Sequence, residues 1–123
     1  MSENKVKRII RETAKVEYLN KTVNFGTDKF KVRSIKVRAN SRVIPKSDYD
    51  DYGVDEDTVK FFIVEFYDTQ DEFWATNAVC SILTLNSRNQ VGSAEVPYDY
   101  ELDGTDADFT IAFADVVNKI LSA

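Results

Sequence analysis

The run Thr58-Val59-Lys60-Phe61-Phe62-Ile63-Val64-Glu65-Phe66-Tyr67 constrains the fold more than any other stretch of the chain. It is almost wholly β-branched or aromatic, a composition that suits a pleated, packed surface. Alternate residues of a strand point to opposite faces, which puts Val59, Phe61 and Ile63 on one side and Phe62, Val64 and Phe66 on the other. Both faces are apolar, so the run predicts a strand at the centre of a sheet, covered on both sides. A short buried helix is the alternative, because a continuous apolar run has no decisive period. Each such side chain, fully buried, contributes about 1.5–3 kcal/mol. Lys60 and Glu65, near the ends of the run, are expected to reach water.

The flanking chain supplies candidates for the two covers. Residues 2–19 read as an amphipathic helix with Ser2 as its cap, an apolar stripe of Val6, Ile9, Ile10 and Thr13 with Val16 close to it, and Asn20 at its end. Residues 105–120 read as a second helix, with Thr105 as N-cap and Asp106 and Asp108 at the positive end of its dipole. Its apolar face is Phe109, Ala112, Phe113, Val116, Val117 and Ile120. Residues 22–25 predict a short strand and 26–28 its turn. Residues 41–54 predict an exposed loop. After the central run, Thr69 and Glu72 match a capping box before Phe73-Trp74, whereas Thr76 and Asn77 weaken a helix there. A strand over 73–85 is the expectation, with a turn at 86–89, a returning strand over 90–96 stopped by Pro97, and an acidic loop over 98–104. Terminal helices around strands joined by short turns predict an α+β fold, one domain over residues 1–123, with a mainly antiparallel sheet.

Residues 29–38 alternate, but the alternation changes phase. Lys29, Lys31 and Arg33 occupy odd positions and Lys36 and Arg38 even ones. A period-2 strand cannot keep one basic face through that shift, so a β-bulge or break is predicted near Ser34-Ile35. A bulge would align all five cations on one face of one strand.

Composition removes several chemistries. The chain has 123 residues, no histidine, one cysteine and four glycines. Without histidine there is no Ser-His-Asp triad, no Cys-His pair and no histidine metal site. No GxxxxGK[ST] or GxGxxG motif occurs. Asp99, Glu101 and Asp103 before Gly104 resemble the first half of a calcium loop, but the position for a closing bidentate glutamate is Thr110. Cys80 reads as a small buried hydrophobe. The reading is therefore a non-enzyme with no cofactor and no metal. No secretory leader or spanning apolar run is visible, which makes a cytoplasmic protein, or one in a particle assembled inside the cell, the expectation.

Charge is unevenly placed. Residues 1–46 hold 13 Lys or Arg against 4 Asp or Glu, and residues 47–123 hold 3 against 17. Such a layout serves either internal compensation between neighbouring strands or a two-signed surface that meets a complementary partner or another copy of itself. A net charge of −5, with the aromatics concentrated in the acidic half, argues against nucleic acid as the partner. The functional expectation is a non-catalytic protein-interaction or structural subunit of a larger assembly, viral assemblies included on grounds of size and lack of chemistry. Its partner-binding candidates are Lys29, Lys31, Arg33, Lys36, Arg38, Tyr49 and Tyr52. The alternative is an acidic inhibitor whose carboxylates stand in for phosphates at a nucleic-acid-binding site of another protein.

Overall fold

The computed structural model describes residues 3–123. Helix α1 spans Glu3–Tyr18, and Ser2, its expected cap, lies outside the described residues. A hairpin follows, β1 (Thr22–Phe25) and β2 (Asp28–Lys31). Then come β3 (Ser34–Asn40), β4 (Thr58–Tyr67), β5 (Ala78–Asn86), β6 (Val91–Ala94) and helix α2 (Ala107–Leu121). Strands β3 to β6 form an antiparallel meander in chain order, and β1–β2 is a separate two-stranded sheet. The fold is α+β, with terminal helices on a mainly antiparallel sheet.

Strand β4 lies inside the sheet and is covered on both faces. Phe62, Val64 and Phe66 pack with Val6, Ile10 and Ala14 of α1 and Phe113, Ala114 and Val117 of α2. Phe61 and Ile63 face the opposite way, among Cys80, Ile82 and Ala94. This second face is covered by the segment expected to be an exposed loop. Val43, Ile44, Tyr49 and Val54 are buried against it, and Tyr52, Val96 and Tyr100 pack at the margin. Two short 3-10 turns, Lys46–Asp48 and Asp50–Tyr52, compact the segment, and Gly53 ends the second in the left-handed region at φ 69°. The molecule thus has three layers, of which the third is irregular chain.

Several expectations are corrected. Glu65 does not reach water; it is buried, and Lys60 is held 3.1 Å from Glu3. Val59 is exposed because the β4–β5 register shifts between Thr58 and Lys60, a bulge that turns it out of the apolar face. Val16 is exposed, and the buried stripe of α1 is Val6, Ile10, Thr13 and Ala14. In α2 the buried stripe is Thr110, Phe113, Ala114 and Val117, leaving Ala112 and Ile120 outside. The cap of α2 is Asp106, not Thr105. Its Oδ1 accepts from the Phe109 N–H at 3.0 Å and its Oδ2 from the Gly26 N–H at 2.5 Å, so one carboxylate starts the helix and pins the hairpin tip.

The phase change at residues 29–38 is a break. Val32 and Arg33 lie between strands, and Val32 is fully buried. The two halves belong to different sheets, so no single five-cation face exists. Residues 73–77 are not strand either. Glu72–Trp74 makes one 3-10 turn capped by Asp71, so the helical signal at Thr69–Glu72 is real but ends after a single turn.

Candidate interaction surface

The seven candidate residues divide into three groups. Lys29 and Lys31 pair across the hairpin with Asn24 and Thr22 and are exposed beside the exposed Arg33. Among the described residues these three cations make no ion pair. Lys36 and Arg38 are also exposed, on β3, but both are engaged. The Lys36 Nζ lies 3.2 Å from Glu72 and the Arg38 Nε donates to Glu65 at 3.0 Å. Tyr49 is buried against Phe61, ring centroids 5.9 Å apart, and Tyr52 is half-buried in the same cluster. The two tyrosines therefore serve the cover of the second face. Lys60 and Glu3, 3.1 Å apart, also join the two halves, whereas Arg88 and Asp57, 3.5 Å apart, both lie in the acidic half. Part of the charge division is thus internal compensation, and exposed pairs of this kind contribute only about 0–1 kcal/mol each.

Two adjacent aromatic residues that sequence reasoning placed in a strand are exposed, as is Tyr98 elsewhere. Phe73 and Trp74, between β4 and β5, are 87% and 76% exposed. Their backbone is tied from several sides. The Asp71 carboxylate accepts from the Phe73 N–H at 3.0 Å, and the Trp74 N–H donates to the Asp71 carbonyl at 3.0 Å. The Ser34 hydroxyl donates to the Thr69 carbonyl at 2.6 Å, and Lys36 holds Glu72, so β3 braces the turn. Asp68 closes its base, accepting from the backbone N–H groups of Thr76 and Asn77, each at 3.1 Å, and from the Thr76 hydroxyl. On the far side the Ala78 N–H donates to Asp103 at 2.7 Å. That bond gives one member of the calcium-like loop a structural role, and among the described residues no three acidic or thiol side chains converge as a metal site.

The same bonds explain why the chain leaves the helical path. Competition from the Asp68 carboxylate for the Thr76 and Asn77 N–H groups removes the donors a second turn would need. These bonds, led by that from the Thr76 hydroxyl, hold the Asp68 carboxyl below its ordinary value of 3.8, against an opposing upward push from burial. A depressed carboxyl stabilises its surroundings above the ordinary value, and the effect is lost as pH falls through the lower, folded one. Acidification below about pH 4 is therefore expected to speed hydrogen exchange at Thr76 and Asn77 before the sheet opens. Asp68→Asn should do the same at neutral pH. Unchanged exchange in that variant would show that Asp68 does not hold the turn.

The two edges of the larger sheet differ. At β6 the Val91 N–H donates to the Asn118 side-chain oxygen at 2.8 Å, and the Asn118 amide donates back to the Val91 carbonyl at 2.6 Å. A side-chain amide of α2 thus occupies the place of a further strand and guards that edge. Strand β3, at the other edge, carries Lys36 and Arg38 and borders the aromatic turn.

Cys80 is fully buried, and burial, reinforced by the nearby Glu65 charge, pushes its thiol up to about 12, far from a reactive thiolate. Burial first, and Glu65 second, also raises the Tyr67 phenol well above its ordinary value. No helix among the described residues is long and apolar enough to cross a membrane. The chain matches no protein-family model, no curated protein and no solved structure, so its geometry alone carries the functional reading.

Proposed function

We propose that the chain is a non-catalytic protein-interaction subunit that holds its partner through the Phe73-Trp74 turn, with Lys36 of β3 at its border and the exposed cations Lys31 and Arg33 on the chain that leads into β3. The observation that carries this reading is the exposure of two adjacent large aromatics on a turn whose backbone is held by Asp68, Asp71 and Ser34. Exposed apolar residues are common singly, but tryptophan on a pre-organised support is the typical centre of a binding hot spot. A braced turn also loses little conformational freedom on binding, which favours affinity. Lys31 and Arg33, which make no ion pair among the described residues, would set orientation and partner choice.

The acidic-inhibitor reading draws on a different surface. Asp50, Asp51, Asp55 and Glu56 are exposed and, among the described residues, form no ion pair. It predicts a complex with a basic protein that weakens steeply with salt, whereas an aromatic-centred contact tolerates salt.

Trp74 is the only tryptophan, so its emission reports the site directly. The complex should shift that emission to the blue and shield Trp74 from iodide. Phe73→Ser with Trp74→Ser, and separately Lys31→Glu with Arg33→Glu and Lys36→Glu, should leave circular dichroism unchanged and abolish association measured by light scattering. A double aromatic variant that associates as the parent does would place the interface elsewhere. A charge-reversed variant that unfolds would assign those cations to the fold.

A further inference from the structure

We propose that the outer edge of β3 is a strand-addition site, which takes an extended acidic segment of a partner protein as a further strand of the larger sheet. The hydrogen-bond pattern carries this inference. The Asp68 N–H donates to the Asn77 carbonyl at 3.4 Å, in continuation of the β4–β5 register. Backbone groups of an antiparallel strand turn to alternate sides, so Phe62, Val64 and Phe66 bond to β5, and Phe61, Ile63, Glu65 and Tyr67 bond to β3. Their partners on β3 are Asn40, Arg38, Lys36 and Ser34. The N–H and C=O groups of Ile35, Val37 and Ala39 therefore point away from the sheet, and among the described residues none of them has a hydrogen-bond partner. The opposite edge is closed. There Asn118 takes both groups of Val91, the Tyr52 carbonyl accepts from the Glu95 N–H at 3.2 Å, and the Gly104 carbonyl accepts from the Cys80 N–H at 3.1 Å. Along β3, by contrast, Lys36, Arg38, Ala39 and Asn40 are exposed. Donors and acceptors at alternate residues of an open edge match another extended backbone.

The side chains select the occupant. An added strand sets its own side chains beside Lys36 and Arg38 on one face and beside Ile35, Val37 and Ala39 on the other. Lys36 already holds Glu72, and Arg38 holds Glu65 through Nε alone. The remaining guanidinium N–H groups of Arg38 have no partner among the described residues, and its side chain is 48% exposed. They are free to take a second carboxylate as a fork. Residues 28–42 hold six Lys or Arg against one acid, Asp28. Of these cations Lys29, Lys31, Arg33 and Arg42 are exposed and, among the described residues, form no ion pair. Asp68 and Asp71, on the turn beside Ser34, each accept from backbone N–H groups of that turn. A second copy of β3 fits less well. Paired antiparallel about Val37, it sets Lys36 of each copy opposite Arg38 of the other, and like charges directly opposite are destabilising. Charge on an edge strand is a common guard against self-pairing, and the same two cations admit an acidic strand.

The site is separate from the Phe73-Trp74 turn, and the two readings fail separately. The probe is a capped synthetic peptide as long as β3 that alternates glutamate with valine, and its counterpart alternates lysine with valine. Amide hydrogen exchange followed by NMR reads the edge directly. In the free protein the Ile35, Val37 and Ala39 amides should exchange fast and those of Lys36 and Arg38 slowly. Saturation with the glutamate peptide should slow the first three at least about tenfold and leave the other two unchanged. The lysine peptide should slow none of them. Ala39→Pro removes an N–H that the fold does not use, so it should keep the parent's circular dichroism and lose the peptide. If that variant unfolds, the exchange pattern and the lysine peptide decide. The Phe73→Ser with Trp74→Ser variant should bind the peptide as the parent does, and a loss of binding there would place the peptide on the turn instead. An edge that stays unprotected, equal protection by the lysine peptide, or a folded Ala39→Pro variant that still binds overturns the proposal. Protection that rises with protein concentration in the absence of peptide would make a second copy the occupant and overturn the acidic partner.

Discussion

Phe113→Ala should cost about 3–5 kcal/mol, the range for truncating a fully buried aromatic. The Phe113 ring has no exposure and joins three elements. It meets Tyr18 at the end of α1 edge-on, centroids 5.5 Å apart, and Phe66 of β4 at 6.1 Å. Phe109, one turn earlier on α2, lies at 6.5 Å. Removing the ring opens a cavity between both helices and the central strand, where regular structure on every side limits collapse. For a chain of this size the melting temperature should fall by roughly 10–20 °C. Ile111→Ala, on the exposed side of the same helix, serves as the control and should change little. Urea unfolding of the two variants decides it. A loss below about 1 kcal/mol for Phe113→Ala would mean that α2 does not anchor the core.

Glu65→Ala should cost about 2–3 kcal/mol. Glu65 is 7% exposed on β4, where Arg38 donates to one carboxylate oxygen at 3.0 Å and the Tyr67 hydroxyl to the other at 3.1 Å. Alanine leaves the buried Tyr67 hydroxyl without its acceptor and removes the partner of Arg38. The Arg38 side chain is 48% exposed, so its charge turns to water. That keeps the cost below the roughly 3–5 kcal/mol seen when a wholly buried pair is broken. Glu65→Gln preserves shape and one acceptor and should lose about half as much. Denaturant titration of the two variants and Arg38→Ala separates the effects. If Glu65→Ala is neutral, the network contributes no net stability and only orients β3 beside β4.

The central strand was legible because its evidence is local. Ten residues with two apolar faces admit few environments, and the covered inner strand β4 follows from them. The terminal helices were legible for the same reason, since a 3.6-residue period is written along one segment. The rotation of each helix was not. Val16 and Ile120 fit their apolar stripes by spacing, but a stripe wider than its partner leaves its margins exposed, and that width belongs to the sheet.

The cover of the second face had no local signature. Val43, Ile44, Tyr49 and Val54 follow neither period, so their burial depends on the apolar face that β4 and β5 present to them. The phase change between Arg33 and Lys36 was visible as an irregularity. A bulge and a break satisfy it equally in sequence, and closure of the β1–β2 hairpin together with pairing of Ser34–Asn40 along β4 selects the break. The aromatic turn was the least legible feature. Hydrophobicity alone sends Phe73 and Trp74 inward. Their exposure follows from Asp68 binding residues eight and nine positions on and from β3 bracing the loop from 35 positions away. Periodicity and capping act over one or two turns of chain and can be read there. Which apolar residues remain outside depends on contacts between distant segments, and those exist only once the sheet has formed.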